Sequence, residues 1–174
     1  MQREAEPEQY LEAIRALLLF RPLSENEVQR FMQRAEILTF QEGERIVAEG
    51  EIDPSFFVVI RGTVSVMVNQ EQNEVFICSI GEGDVFGEAA MFMKVKRTAD
   101  VVAACDAVLL RIERPELMGF IKDFPTTGNK LLMLIIYSLL RKLRDANQEL
   151  AFERRADIQQ DDVDSLVAQL AGGS

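Results

Sequence analysis

The sequence predicts an α+β fold, an antiparallel barrel or jelly roll with helices before and after it. Three observations point there. Residues 35–112 alternate short runs rich in Val, Ile, Phe and Thr with turn residues. Residues 8–34 and 114 to about 155 carry helical periodicity instead. The 174 residues are 48% apolar, enough for one core with extensions.

The N-terminal segment, residues 1–34, reads as two helices. "EQYLEAIRALLLF" places Leu11, Ile14, Leu17 and Leu18 on one face, and Pro22 breaks it. "SENEVQRFMQRA" then opens with Ser24 and Glu27, the spacing of a capping box.

The barrel segment, residues 35–113, contains the runs "AEILTF", "RIVAEG", "SFFVVIRG", "TVSVMVN", "EVFICSI", "TADVVAA" and "AVLLRIE". Turn residues separate them at Gly43, Gly50, Asp53-Pro54, Gly62, Asn69 and Gly81-Glu82-Gly83. Short strands with regular turns suit a barrel or jelly roll. One interruption stands out: after Gly87 the pattern turns helical for a turn or two, then resumes as strand at Arg97.

That interruption is "FGEAAMFMKVKRTA", Phe86 to Ala99. Gly87 has no Cβ, so a ligand can approach its backbone closely. The first helical amides, around Ala89 and Ala90, have no partner within the helix and favour an anion. Arg97 offers a fork of donors to a phosphate, and Thr98 adds a hydroxyl. Glu88 suits a ligand that brings hydroxyls beside its negative charge, such as a sugar-phosphate of low charge. Neither GxxxxGK[ST] nor GxGxxG is present, which disfavours a triphosphatase or a dinucleotide enzyme.

Residues 114–155 read as a short helix, "RPELMGFIKDF", stopped by Pro125, and a long helix from about Thr126. Leu132, Ile136, Leu139, Leu143, Ala146 and Leu150 are spaced 4, 3, 4, 3, 4, a heptad seam. Leu131, Leu134 and Ile135 widen the apolar face near its start, so that end is expected to pack on the barrel. The seam persists where the helix becomes charged, which favours a two-stranded homodimer over intramolecular packing along one stripe.

Residues 156–174 form an acidic tail with Asp157, Asp161, Asp162 and Asp164. Val163, Leu166, Val167 and Leu170 fall at i, i+3, i+4 and i+7, the pattern of a short amphipathic helix capped by Asp161 or Asp162 and ended by Gly172-Gly173.

Composition excludes several functions. The net charge of −10 argues against a nucleic-acid binder. The absence of histidine removes His-based acid–base and nucleophile systems and most zinc sites. No nucleophile elbow or metal-ligand cluster is evident, so no enzyme activity and no metal are expected. Cys78 and Cys105 lie in apolar runs and read as buried core thiols. The charged N-terminus lacks a signal's apolar core, and the run Leu131–Tyr137 is too short for a bilayer span. A soluble cytoplasmic protein without membrane contact is expected.

"FGEAAMFMKVKRTA" resembles the phosphate-binding cassette of cyclic nucleotide-binding domains, the module of catabolite-activator-type regulators, cyclic-nucleotide-dependent kinases and gated channels. Gly87, Glu88, Ala90, Arg97, Thr98 and Ala99 match the family pattern, as does the Glu-to-Arg spacing of nine. "LTFQEGERIVAEGEIDPSFFVVIRGTVSVMV" is similar to the family's early strands. The resemblance spans residues 10 to 150 and implies a β-roll that binds a cyclic mononucleotide, cyclic AMP or cyclic GMP, with no catalytic cofactor.

Carried over, the resemblance implies that Glu88 binds the ribose 2′-hydroxyl. Phe86, Gly87, Ala89 and Ala90 line the cyclic phosphate, Arg97 pairs with it, and Thr98, beside Ala99, bonds the phosphate or the purine. The long helix would cap the base, with Asn147 the polar candidate. Lys96 stands where some members have Pro, and Ala146 where others offer a hydroxyl. Relatives that read DNA continue into a helix-turn-helix domain, whereas here an acidic stretch follows, so no DNA contact is expected. The tail "IQQDDVDSLVAQL" is similar to the peptide that docks partners at the ends of flagellar-switch and chemotaxis-associated proteins. Residues Asp162 to Leu170 would then dock a protein partner, or else pack on themselves or stay disordered.

Overall fold

A computed structural model of the chain describes residues 2–3, 7–70, 73–93 and 95–171, with side chains described for 9–70, 73–93 and 95–152. The chain divides into two compact units at Ile135/Ile136.

The first unit opens with β1 (Gln2–Arg3), a 3₁₀ turn (Pro7–Tyr10), α1 (Leu11–Ala16) and α2 (Glu25–Met32). The capping box forms as expected. Glu27 N–H donates to Ser24 Oγ at 3.3 Å, and Ser24 N–H donates back to Glu27 Oε2 at 2.7 Å. The first helix is shorter than its sequence pattern implies. Leu17 turns extended, Leu18 is exposed, and Leu19 and Phe20 are the buried residues. Burial of these two side chains in the core outweighs the helical period.

Eight further strands follow. They are β2 (Glu36–Phe40), β3 (Arg45–Val47), β4 (Ser55–Arg61), β5 (Val64–Gln70), β6 (Asn73–Ile80), β7 (Val85–Phe86), β8 (Asp100–Ala103) and β9 (Ala107–Glu113). They form two antiparallel sheets, ordered β1-β2-β9-β4-β7 and β3-β8-β5-β6. β8 begins at Asp100, three residues later than the sequence pattern suggests, because Arg97 pairs through its backbone with the Gly50–Glu51 loop.

Strand alternation sends residues to two cores. Leu38, Phe40, Phe57, Val59, Phe86, Ala107 and Leu109 meet Val47, Val64, Ile80, Val101 and Ala103 between the sheets. The other face of the first sheet, with Ile37, Phe56, Val58, Leu110 and Ile112, packs against the helices. Phe31 of α2 bridges Phe20 and Phe120, each ring pair 5.3 Å apart.

Both cysteines are exposed, contrary to the expectation of core thiols. Cys78 sits on β6, a sheet-edge strand exposed from Asn73 to Ser79. Cys105 lies in the β8–β9 turn.

Helix α4 (Arg114–Asp123) and helix α5 (Pro125–Ala171) follow. Leu131 and Ile135, with Leu134 alongside, join the helical core of the first unit, as expected of the widened apolar face. Glu27 also reaches the start of α5, where it accepts from the Thr127 hydroxyl and, at 3.2 Å, from Lys130 Nζ.

The second unit is the remainder of α5. Its backbone stays helical through residue 155, where the sequence places the start of the tail, to Ala171. A separately capped tail helix is therefore absent. Propensity continues the helix, since no Gly or Pro intervenes between Phe152 and Ala171. The side chains of Asp157 through Leu170, and Gly172-Gly173, lie outside the described residues. Ile136, Leu139, Leu143 and Leu150 of the heptad seam are exposed, as is Ala146, while Leu132 is half-buried. No helix among the described residues is long and apolar enough to cross a membrane.

Candidate functional site

The interruption read from the sequence is α3 (Glu88–Met93), entered from β7 through Gly87 at φ +86°. Gly87 is required twice over. Its backbone is left-handed, and a Cβ there would sit 2.6 Å from both Ser55 O and Arg97 Nη1. The guanidinium of Arg97 is thus packed directly against the glycine at the head of α3.

Arg97 is 6% exposed, the most buried cation of the first unit among the described residues. Its backbone is fixed on both sides. Arg97 N–H donates to Glu51 O and Gly50 N–H donates to Arg97 O, each at 2.8 Å. The side chain donates through Nη2 to Asp53 Oδ2 at 3.0 Å and to Ser55 O at 2.8 Å. It lies 5.8 Å from the Phe57 ring centroid. Its Nε is buried without a partner among the described residues. A buried charged donor with an open valence is costly unless something fills it.

Asp53 is the residue that the sequence reading missed. Burial alone would raise its carboxyl pKa, but hydrogen bonds from Ser55 and the Arg97 charge outweigh it and hold it below the ordinary value. Its Oδ1 accepts from Ser55 N–H at 3.0 Å and Ser55 Oγ at 2.6 Å. The only signal in the sequence is Asp-Pro, which reads as a turn.

The other candidate residues divide by position. Phe86 is buried, and its ring stacks on Phe57 at 4.8 Å and 6° between the sheets, so the ring itself faces core. Ala90 is buried, Ala89 and Thr98 are exposed, and Glu88 and Ala99 are half-buried. Arg97 pairs with Asp53 rather than with Glu88. Gly87 through Ala90 and Arg97 through Ala99 are thus two segments joined by the Arg97–Gly87 contact. Asn147 is exposed on α5 in the second unit. Among the described residues no group of His, Cys, Asp and Glu is placed to hold a metal ion.

Comparison with known proteins agrees with the fold. A cyclic nucleotide-binding domain from Methylobacillus flagellatus superposes with a TM-score of 0.72 at 22% identity, covering 82% of this chain and 80% of that one. The catabolite activator protein of Thermus thermophilus gives 0.63 at 27% identity, covering 77% of this chain and 62% of that one. The regulatory domain of Toxoplasma gondii PKA, crystallised with cAMP, gives 0.56 at 21% identity, covering 70% and 48%. Residues 37–124, just over half of the chain and including all of β4, the cassette and β9, match the family model of the cyclic nucleotide-binding domain. The chain, with its two-sheet β-roll and its glycine-seated arginine, belongs to the cyclic nucleotide-binding domain family.

Proposed function

We propose that this chain is a regulatory, non-catalytic sensor of a cyclic mononucleotide, with cyclic AMP its first ligand and cyclic GMP the competitor. The observation that supports it most is Arg97. It is buried against Gly87, and its Nε has no partner among the described residues. A singly charged cyclic phosphate at the head of α3 would supply that partner. Glu88 would accept the ribose 2′-hydroxyl, Gly87, Ala89 and Ala90 would line the phosphate, and Thr98 would bond phosphate or purine. Asn147 on α5 is the candidate for the base edge.

Occupancy would tighten α3 and reset α4, the hinge before the long helix. A ligand shifts such an equilibrium only by its differential affinity for the two states. The exposed seam of α5 supports a homodimer as the element that reports the change. Residues Asp162 to Leu170 are proposed to dock a protein partner in the cytoplasm.

A second reading is a dimeric interaction scaffold that has lost nucleotide regulation. The Asp53–Arg97 pair favours it, since Arg97 already has an internal counter-ion. Isothermal titration with cyclic AMP and cyclic GMP separates the two. The sensor reading expects heat with at least one nucleotide and its loss in Arg97→Ala. No heat with either would leave the scaffold.

A further inference from the structure

We propose that Arg111 is a positioning residue for the ligand's phosphate: it offsets the charge of Asp53, so that Asp53 can orient Arg97 without repelling an anion beside it. The inference rests on the cyclic nucleotide reading above.

The strand register builds the arrangement. Arg111 on β9 stands opposite Glu36 on β2 and Phe57 on β4, and Ser55 stands opposite Glu113. Alternation puts Ser55, Phe57, Arg111 and Glu36 on the face that lines the space between the sheets. The two oxygens of Asp53 then serve two different arginines. Oδ2 accepts from Arg97 at 3.0 Å, whereas Oδ1 accepts from Ser55 and lies 3.7 Å from Arg111 Nη2. Arg111 Nε–H also donates to Ser55 Oγ at 2.9 Å, so the hydroxyl that Asp53 holds is itself held by Arg111.

Charge decides what this does. Arg97 and Asp53 alone sum to zero. A phosphate brought to Arg97 would then meet a carboxylate sharing the same guanidinium. Like charges that close in a partly buried site oppose binding strongly. Arg111 places a second positive charge 3.7 Å from Asp53 Oδ1; counting Glu36 and Glu113, with which it also pairs, the network carries −1, and it would carry −2 without Arg111. Glu36 on β2, the neighbour of β9 on the side opposite β4, and Glu113 on β9 itself hold its fork at 3.1 Å each. Glu113 is the N-cap residue of α4, so the ion network runs from the cassette arginine to the first turn of the hinge helix.

The test is a double-mutant cycle read by isothermal titration with cyclic AMP and cyclic GMP. Arg111→Gln is expected to weaken binding about 10-fold or more, and Arg111→Lys, which keeps the charge and loses the fork, to stay within about 3-fold of the wild type. In an Asp53→Asn background the effect of Arg111→Gln should shrink at least about 5-fold, because the repulsion it unmasks is gone. Thermal melts check folding. If Arg111→Gln does not fold, Arg111→Gln with Glu36→Gln takes its place in both backgrounds. An equal loss with and without Asp53 overturns the proposal. So does wild-type affinity in Arg111→Gln while Arg97→Ala abolishes binding, an outcome that leaves the nucleotide reading standing. Absence of binding to the wild-type chain sinks that reading and the role of Arg111 with it.

Discussion

Arg97 and Asp53, 44 residues apart in the chain, form a 3.0 Å ion pair whose arginine is almost wholly buried. The pair sits where β4 begins and the cassette ends. The arginine proposed to meet the phosphate is thus oriented by the protein's own Asp53 carboxylate and Ser55 carbonyl.

Arg97→Ala should therefore do two things. It removes the proposed phosphate partner, and it takes from Asp53 Oδ2 and the Ser55 carbonyl the donor they share, leaving Asp53 with Ser55 and Arg111. We expect loss of cyclic nucleotide binding together with a destabilisation of about 1–3 kcal/mol, since two partly buried acceptors lose a charged donor. Arg97→Lys keeps the charge but has no fork to serve Asp53, Ser55 and a phosphate together. Titration and urea melts on both variants check this. Unchanged stability in Arg97→Ala would show that the pair is idle in solution.

Gly87→Ala tests the seat itself. A residue at φ +86° is strained, and its Cβ would press within 2.6 Å of the Ser55 carbonyl, which cannot move without disturbing β4. The expected cost is about 2 kcal/mol or more, with nucleotide affinity falling as Arg97 is displaced. A variant as stable as the wild type would mean that the left-handed turn relaxes.

Glu27 predicts a pH effect far from the cassette. The Thr127 hydroxyl first, then the Ser24 amide, with Lys130 adding to them, lower its carboxyl pKa to about 2 from an ordinary 4.5. A depressed acid stabilises the fold above its unfolded pKa and loses that contribution as pH falls through 4.5 toward 2. Glu27→Gln should cost on the order of 1–2 kcal/mol at pH 7. The gap from the wild type should shrink steadily between pH 5 and pH 3. Denaturant melts across that range decide it, and a gap independent of pH would assign the loss to packing alone.

The cassette was legible because its information is local. A glycine, a short helix and an arginine nine positions after Glu88 lie within one stretch of chain. The capping box at Ser24 and Glu27 was legible for the same reason. Asp53 and Arg111 were not. Asp53 reads as half of an Asp-Pro turn, and Arg111 as a polar interruption of "AVLLRIE"; only the register of β2, β9 and β4 brings Glu36, Arg111 and Ser55 together. The exposure of Cys78 was hidden similarly, since a strand's composition does not say that it ends a sheet. The end of α1 at Ala16 was also set by distant packing, through Phe20 against Phe31.

The seam of α5 carries the last prediction. Ile136, Leu143 and Leu150 are each at least half exposed and lie seven residues apart, and Leu139 and Ala146 between them complete the 3–4 spacing over two heptads. Their neighbours on the helix turn charged after Leu140, with Arg141, Lys142, Arg144 and Asp145, so the apolar surface narrows to one line. A solvated helix gains nothing from such a line, whereas a second copy would bury it, at about 1.5–3 kcal/mol per leucine or isoleucine. Light scattering on the full chain at about 50 μM should report a dimer. Leu143→Glu should give a monomer and leave the melting of the β-roll unchanged, because Leu143 is 58% exposed and contributes nothing to either core. A monomeric wild type would reject the seam as a dimer interface. A Leu143→Glu dimer would place the interface elsewhere, and the exposed residues Phe76 and Ile77 on β6 would be the next surface to substitute.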